Sequence, residues 1–280
     1  MFQYAAGRRL AGKVGSELKL DITWFDSNSE RQYSLRHLSI HENFALEKEI
    51  LGLKYLSPSL YDRVLKTLGL RSSLLPPAPG YIKERLNRFD PEILTLSDDV
   101  YLEGYWQSEK YFFDIRDVIR KEFYPRAPLS AEGMKIADSV SSCESVSIHI
   151  RRGDYVSNAL VNSHHGVCSL KYYHQGIQYI ASHMPELNFF VFSDDPLWCR
   201  QNLHIPFHTS FIDRNDPERD YEDLHLMSLC KHHIIANSSF SWWGAWLATS
   251  PYKIVVGPKK WFALKERSTQ DLIPRDWITL

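Results

Sequence analysis

The sequence has few cysteines, no charge excess and no long apolar run, and each shortage excludes a class. Four cysteines in 280 residues, Cys143, Cys168, Cys199 and Cys230, lie about 25 to 31 positions apart with no Cys-x-x-Cys pair. That is neither a disulfide scaffold nor a zinc motif, and it suits a reducing compartment. Lys and Arg number 33 against 34 Asp and Glu, a net charge of −1. A protein that binds nucleic acid by broad phosphate neutralisation carries a basic excess, so nucleic acid is not an expected partner; a local cationic pocket remains open. No apolar run reaches the roughly 18 to 20 residues that span a bilayer, and the Met1 to Arg9 opening has no secretory apolar core. The adjacent pairs His164-His165 and His232-His233 do not converge on one metal, and no metal site is expected. With 44% hydrophobic and 24% charged residues, a real core is present and disorder is excluded. The length fits one large or two modest domains. The expected location is cytoplasmic.

What is present divides near the middle. Residues 1–140 read as one lobe and 141–280 as a second, with the change of texture between about 126 and 145. In the first half, Leu60, Val64, Leu65 and Leu68 share a helical face, and Leu74 to Gly80, with its three prolines, is a connection. Apolar positions from Tyr111 through Ile119 and Phe123 predict a further helix that Pro125 stops. From Val146 onward, short β-rich runs (146–150, 189–192, 233–236, 253–256) alternate with helical stretches after Ser169, Pro196 and Ser239. Strands alternating with helices predict βαβ units and a parallel sheet, an α/β fold.

In such a sheet, ligands bind beyond the carboxyl ends of the strands. The first run ends His149-Ile150-Arg151-Arg152-Gly153-Asp154. Period-2 alternation puts His149 and Arg151 on one face, opposite Val146, Ile148 and Ile150. A guanidinium at that point suits a phosphate, because its planar fork binds oxygens in pairs. An ion pair of Arg151 or Arg152 with Asp154 is the equally weighted structural alternative. Ser193-Asp194-Asp195-Pro196 ends the second run. Helix capping is the better reading for Asp195, whereas Asp194 could both cap and act. Asn237-Ser238-Ser239 opens the helix after the third run, where free backbone N–H groups make a phosphate seat, or simply an N-cap. The tryptophans Trp242, Trp243 and Trp246 read as core.

Taken together, His149-x-Arg151-Arg152-x-Asp154, Phe192 to Asp195 and Ile235 to Gly244 resemble the α-1,2-fucosyltransferases. Met1 to Gly7 and Glu103-Gly104-Tyr105-Trp106-Gln107-Ser108 extend the likeness to nearly the whole chain, in the right order. The resemblance implies a GT-B-like fold of two Rossmann-like lobes, with the donor site in the C-terminal lobe. It implies metal-independent, inverting transfer of L-fucose from GDP-β-L-fucose to the 2-hydroxyl of a terminal galactose. By the same likeness Arg151 contacts the β-phosphate, with Ser238, Ser239 and the Phe240 backbone beside it. Asp223 accepts from the guanine N1–H and exocyclic amine, and His149 lines the nucleotide site. Arg152 belongs to the same donor-binding set, supporting the lobe. Asp154 and Asp194 are the two candidates for general base.

The implied partners are GDP-fucose, as substrate and not as a resident cofactor, and a β-galactoside glycan, lipid-linked ones included. A place against the inner face of the membrane is compatible with that acceptor. Two other readings stay open: a fucosyltransferase of different linkage or acceptor, and an inactive relic that binds GDP or glycan. The family pattern also places a strand and a Gly-x-Gly-Asn-Gln turn before Met-Phe-Gln-Tyr-Ala, whereas the sequence as given opens on that Met. For a chain that lacks this strand and turn, the expectation is low stability with weak or no transferase activity.

Overall fold

A computed structural model describes residues 1–26, 32–55, 77–85, 88–97, 99–213, 217–264 and 269–280. The helix expected over Leu60 to Leu68 lies outside the described residues, as does Leu74 to Pro76 of the proline-rich connection. The chain forms two units, one of residues 1–123 with 270–272 and one of 124–269 with 273–280.

The first unit carries α1 (Phe2–Val14), α2 (Thr23–Asp26), α3 (Glu47–Lys54) and α4 (Arg116–Glu122). The sequence pattern of α1 is amphipathic, and Phe2, Ala5, Ala6 and Leu10 are indeed buried on it. Tyr4 Oη donates to Glu122 Oε2 at 2.8 Å and Arg8 Nε pairs with Glu122 Oε1 at 2.9 Å, which fastens α1 to the end of α4. Two short strands, β1 (Tyr81–Lys83) and β2 (Tyr101–Glu103), pair in parallel. The helix expected from Tyr111 is not continuous. Two 3-10 turns, Glu109–Tyr111 and Phe113–Ile115, precede α4. Tyr111 and Phe112 are both fully buried, and packing two successive rings overrides the local helical period.

The second unit is the α/β fold that the alternating runs predict. Six strands, β3 (Ser145–Ile150), β4 (Asn188–Ser193), β5 (His208–Ile212), β6 (His232–Ile234), β7 (Val255–Gly257) and β8 (Ile278–Thr279), form one sheet. Every neighbouring pair is parallel, in the order β5-β4-β3-β6-β7-β8. The helices are α5 (Ala131–Ser141), α6 (Gly153–Ser157), α7 (Ala159–His165), α8 (Leu170–Ala181), α9 (Pro196–Asn202), α10 (Asp220–Leu229) and α11 (Ser239–Leu247). Counted within this unit the order is 3-2-1-4-5-6, which makes the space between β3 and β6 the topological switch point.

Caps explain where the helices start. Ser169 Oγ accepts from Tyr172 N at the head of α8, and Asp195 Oδ1 accepts from Trp198 N at the head of α9, where Pro196 occupies the first turn. On one face of β3, Val146, Ile148 and Ile150 pack with Tyr173, Ile177 and Ile180 of α8 in the main core. The opposite face carries Ser147, whose hydroxyl lies 2.8 Å from His233 Nδ1, and His149. Trp242, Trp243 and Trp246 are buried, and Trp242 packs on Trp277, so the tryptophans are core.

Candidate nucleotide-sugar site

The candidate residues gather at the carboxyl edge of this sheet. β3 delivers His149 and Arg151, β4 delivers Asp194 and Asp195, and β6 leads into Ser238 and Ser239 at the head of α11. His149 and Phe240 have ring centroids 5.6 Å apart, so the end of β3 and the start of α11 adjoin across the switch point. Asp223 lies in the first turn of α10. That helix returns antiparallel to the strands, which sets its first turn at the same edge of the sheet.

Arg151 is held by two carboxylates. Its Nη2 donates to Asp154 Oδ1 at 2.7 Å, and Nη1 lies 3.0 Å from Asp194 Oδ2. Asp194 Oδ1 accepts from the Arg152 backbone N–H at 2.8 Å. The ion pair with Asp154 weighed from the sequence therefore forms. It leaves further N–H groups of the guanidinium, Nε–H among them, to meet an anion. A Cβ on Gly153 would stand 2.6 Å from Asp194 Oδ2, so a side chain there would push that carboxylate off Arg151. Arg152 turns the other way, with Nε 3.1 Å from Asp195 Oδ2 and its guanidinium 3.8 Å above the Trp198 ring. This Trp198 platform had no sequence signal beyond an aromatic at the third position of α9.

Asn237 is spent on structure. Its Nδ2 donates to the carbonyls of His165, Gly166 and Trp261, and its own carbonyl accepts from Tyr155 Oη. It thereby ties the α6–α7 segment to the head of α11. Ser238 is buried but makes no side-chain cap, and Ser239 is exposed. Glu222, the neighbour of Asp223, was not singled out from the sequence. It is fully buried and accepts from Ser130 N at 3.1 Å, Ser130 Oγ at 2.9 Å and Arg219 Nε at 2.8 Å.

His149 is 6% exposed, and its Nδ1 has no hydrogen-bond partner among the described residues. Burial, and then the Arg151 charge, lower its pKa to about 3. Burial lowers His233 as well, with Lys253 and His232 adding to it. Both rings are neutral at neutral pH. The unfolded chain takes up these two protons near pH 6.5 while the folded chain refuses them, so stability falls as pH drops below about 6.5. The expected loss between pH 7.5 and 5.5 is about 1.4 kcal/mol for each ring. Urea unfolding at the two pH values checks it; an unchanged or higher midpoint at pH 5.5 contradicts it.

Among the described residues no three His, Cys, Asp or Glu side chains converge as metal ligands. No helix among them is long and apolar enough to cross a membrane.

A parallel sheet of order 3-2-1-4-5-6, with charged residues at the carboxyl ends of its strands, is an arrangement that many nucleotide-binding proteins share. The sequence comparisons specify which kind: the chain belongs to glycosyl transferase family 11, whose profile it matches over residues 80–280. It is 33% identical to the alpha-1,2-colitosyltransferase of Escherichia coli, over 100% of this chain and 94% of that protein. It is 32% identical to the O-antigen biosynthesis glycosyltransferase WbnK of the same species, over 100% of this chain and 96% of the relative. The galactoside 2-alpha-L-fucosyltransferase SEC1 of Bos taurus is 29% identical over 53% of this chain and 42% of its own length. The protein is a glycosyltransferase.

Proposed function

We propose that the chain transfers L-fucose from GDP-β-L-fucose, with inversion and without a metal, to the 2-hydroxyl of a terminal galactose in a glycan. The observation that supports this reading is Arg151 at the end of β3, its guanidinium held by Asp154 and Asp194, on the same strand end whose His149 ring lies against Phe240 at the head of α11. In the proposed complex Arg151 meets the β-phosphate, and the backbone N–H groups at Ser238, Ser239 and Phe240 share the charge that develops on departing GDP. Asp223 takes the guanine edge, and neutral His149 lines the pocket. The acceptor oxygen bonds to the anomeric carbon as the bond from that carbon to the phosphate oxygen breaks, and the hydroxyl proton passes to a carboxylate. Asp194 has both oxygens engaged, by Arg151 and by the Arg152 amide, which suits holding the fork. The base is one of the two carboxylates on this fork, Asp154 or Asp194. Arg152, stacked on Trp198, supports the turn.

The full-length likeness to a colitosyltransferase favours a second reading of the donor. Colitose is fucose without its 3-hydroxyl, so a site that hydrogen-bonds this hydroxyl discriminates strongly and one that merely encloses it does not. Parallel assays with the two GDP-sugars separate the readings.

Nucleotide choice is tested at Asp223. Guanine presents two donors where adenine presents an acceptor, and a carboxylate only accepts. Calorimetry is expected to show that Asp223→Ala weakens GDP binding and narrows the preference for GDP over ADP. An unchanged GDP/ADP ratio removes Asp223 from the base pocket.

A further inference from the structure

Two described non-glycine residues have left-handed backbone, Asp99 and Trp106, and the bulky one lies in the turn Gly104 to Ser108, directly after β2. Trp106 has φ +55° although it is a bulky side chain buried to 1%, a combination that is a true outlier for an L residue. A carboxylate sustains it: Glu84 accepts from Tyr105 N at 2.7 Å and from Trp106 N at 3.2 Å, and Ser108 N closes the turn on Trp106 O at 2.8 Å. Gly104 completes the clamp, since a Cβ there would stand 2.4 Å from Glu84 Cβ. Trp106 Nε1 is buried with no hydrogen-bond partner among the described residues. Strain and an unmet donor held together against relaxation are the pattern of a built binding element. What the turn presents is Tyr105, 59% exposed, followed by the half-buried Gln107. The turn also stands at the carboxyl end of a parallel strand pair, the edge where α/β units take ligands.

We propose that the Gly104–Ser108 turn is the acceptor saccharide subsite, with the Tyr105 ring as the platform for a galactoside. A pyranose presents an apolar C–H face, which packs on an aromatic ring, and a rim of hydroxyls, for which the Gln107 amide supplies both a donor and an acceptor. The rigid turn fixes the ring before the sugar arrives, which lowers the ordering cost of binding. Trp24 is also exposed, at 54%, but it belongs to an edge-to-face ladder through Phe25, Tyr33 and Phe44.

This subsite rests on the reading of the protein as a glycosyltransferase acting on a galactoside. The test uses the full chain with GDP-fucose and lactose. Tyr105→Ala is expected to raise the lactose KM about tenfold or more, leaving the GDP-fucose KM and GDP-fucose hydrolysis without lactose unchanged. Tyr105→Phe, which keeps the ring, is expected to behave as wild type, as is Trp24→Ala. Saturation-transfer NMR reads lactose binding without turnover: the signal seen with the wild-type chain and GDP should vanish in Tyr105→Ala. A wild-type lactose KM and an undiminished lactose signal in Tyr105→Ala overturn the subsite, as does a wild-type chain that binds no lactose. A chain that binds neither GDP nor ADP sinks the transferase reading instead, while the lactose signal still decides the subsite.

Discussion

Arg151→Lys is expected to lower turnover by about a hundredfold or more while the protein stays folded. Lysine keeps the charge but not the fork. In the native site one guanidinium reaches Asp154 and Asp194 at 2.7 and 3.0 Å with two different nitrogens. An ammonium is a single point and cannot span both carboxylates while facing a phosphate. The loss should appear in kcat more than in KM, because the charge on the departing diphosphate grows as the glycosidic bond breaks. The pair is part-exposed, with the Arg151 side chain at 31%, so its rupture costs little folding energy. Unaltered kcat in folded Arg151→Lys would mean that Arg151 serves structure alone. A chain that no longer folds would contradict the small folding cost expected of this part-exposed pair.

Glu222→Ala should show the opposite behaviour, a loss of stability of about 3 kcal/mol or more. Glu222 is fully buried and receives the Ser130 amide, the Ser130 hydroxyl and Arg219. Ser130 is also the N-cap of α5, its Oγ accepting from Gly133 N at 3.0 Å. Removing the carboxylate takes away the acceptor that the Ser130 amide, the Ser130 hydroxyl and Arg219 share, and leaves a void where a fully buried side chain stood. Urea unfolding of Glu222→Ala beside Asp223→Ala separates two neighbouring acids. The first should lose stability and the second nucleotide preference. Equal stability of Glu222→Ala and the wild-type chain would contradict this.

That contrast shows where sequence reading reaches its limit. Asp223 stood out through the likeness to the α-1,2-fucosyltransferases, whereas the tie of Glu222 to Ser130 spans 92 positions and has no local pattern. β3 was legible as an alternating run and β4 as a continuous apolar one, each ending in charged residues, and the helices after Ser169 and Asp195 because their caps are local. β5, His208–Ile212, was missed, as its partly exposed mixture of polar and apolar residues suits an edge strand. β6 and β7 are three residues each, and their ends shifted by one or two positions, which short pairings do not fix in sequence. The strand order itself depends on pairings between distant segments. In the first unit the aromatic pattern from Tyr111 misled, because two adjacent rings enter the core. The motif Gly104 to Ser108 was visible as letters, but its left-handed Trp106 and its clamp by Glu84 were not.

The central claim is that this chain moves a sugar from a GDP-sugar onto a galactoside through the site at the β3–β6 switch point. It is tested most directly by incubating the protein, in buffer containing EDTA, with GDP-fucose and a panel of β-galactosides and determining the linkage of any product by NMR. The account predicts a fucosyl product joined α-1,2 to galactose, formed by the wild-type chain and nearly abolished in Arg151→Lys. Transfer that requires a divalent ion, a different linkage, or equal product from Arg151→Lys would contradict it.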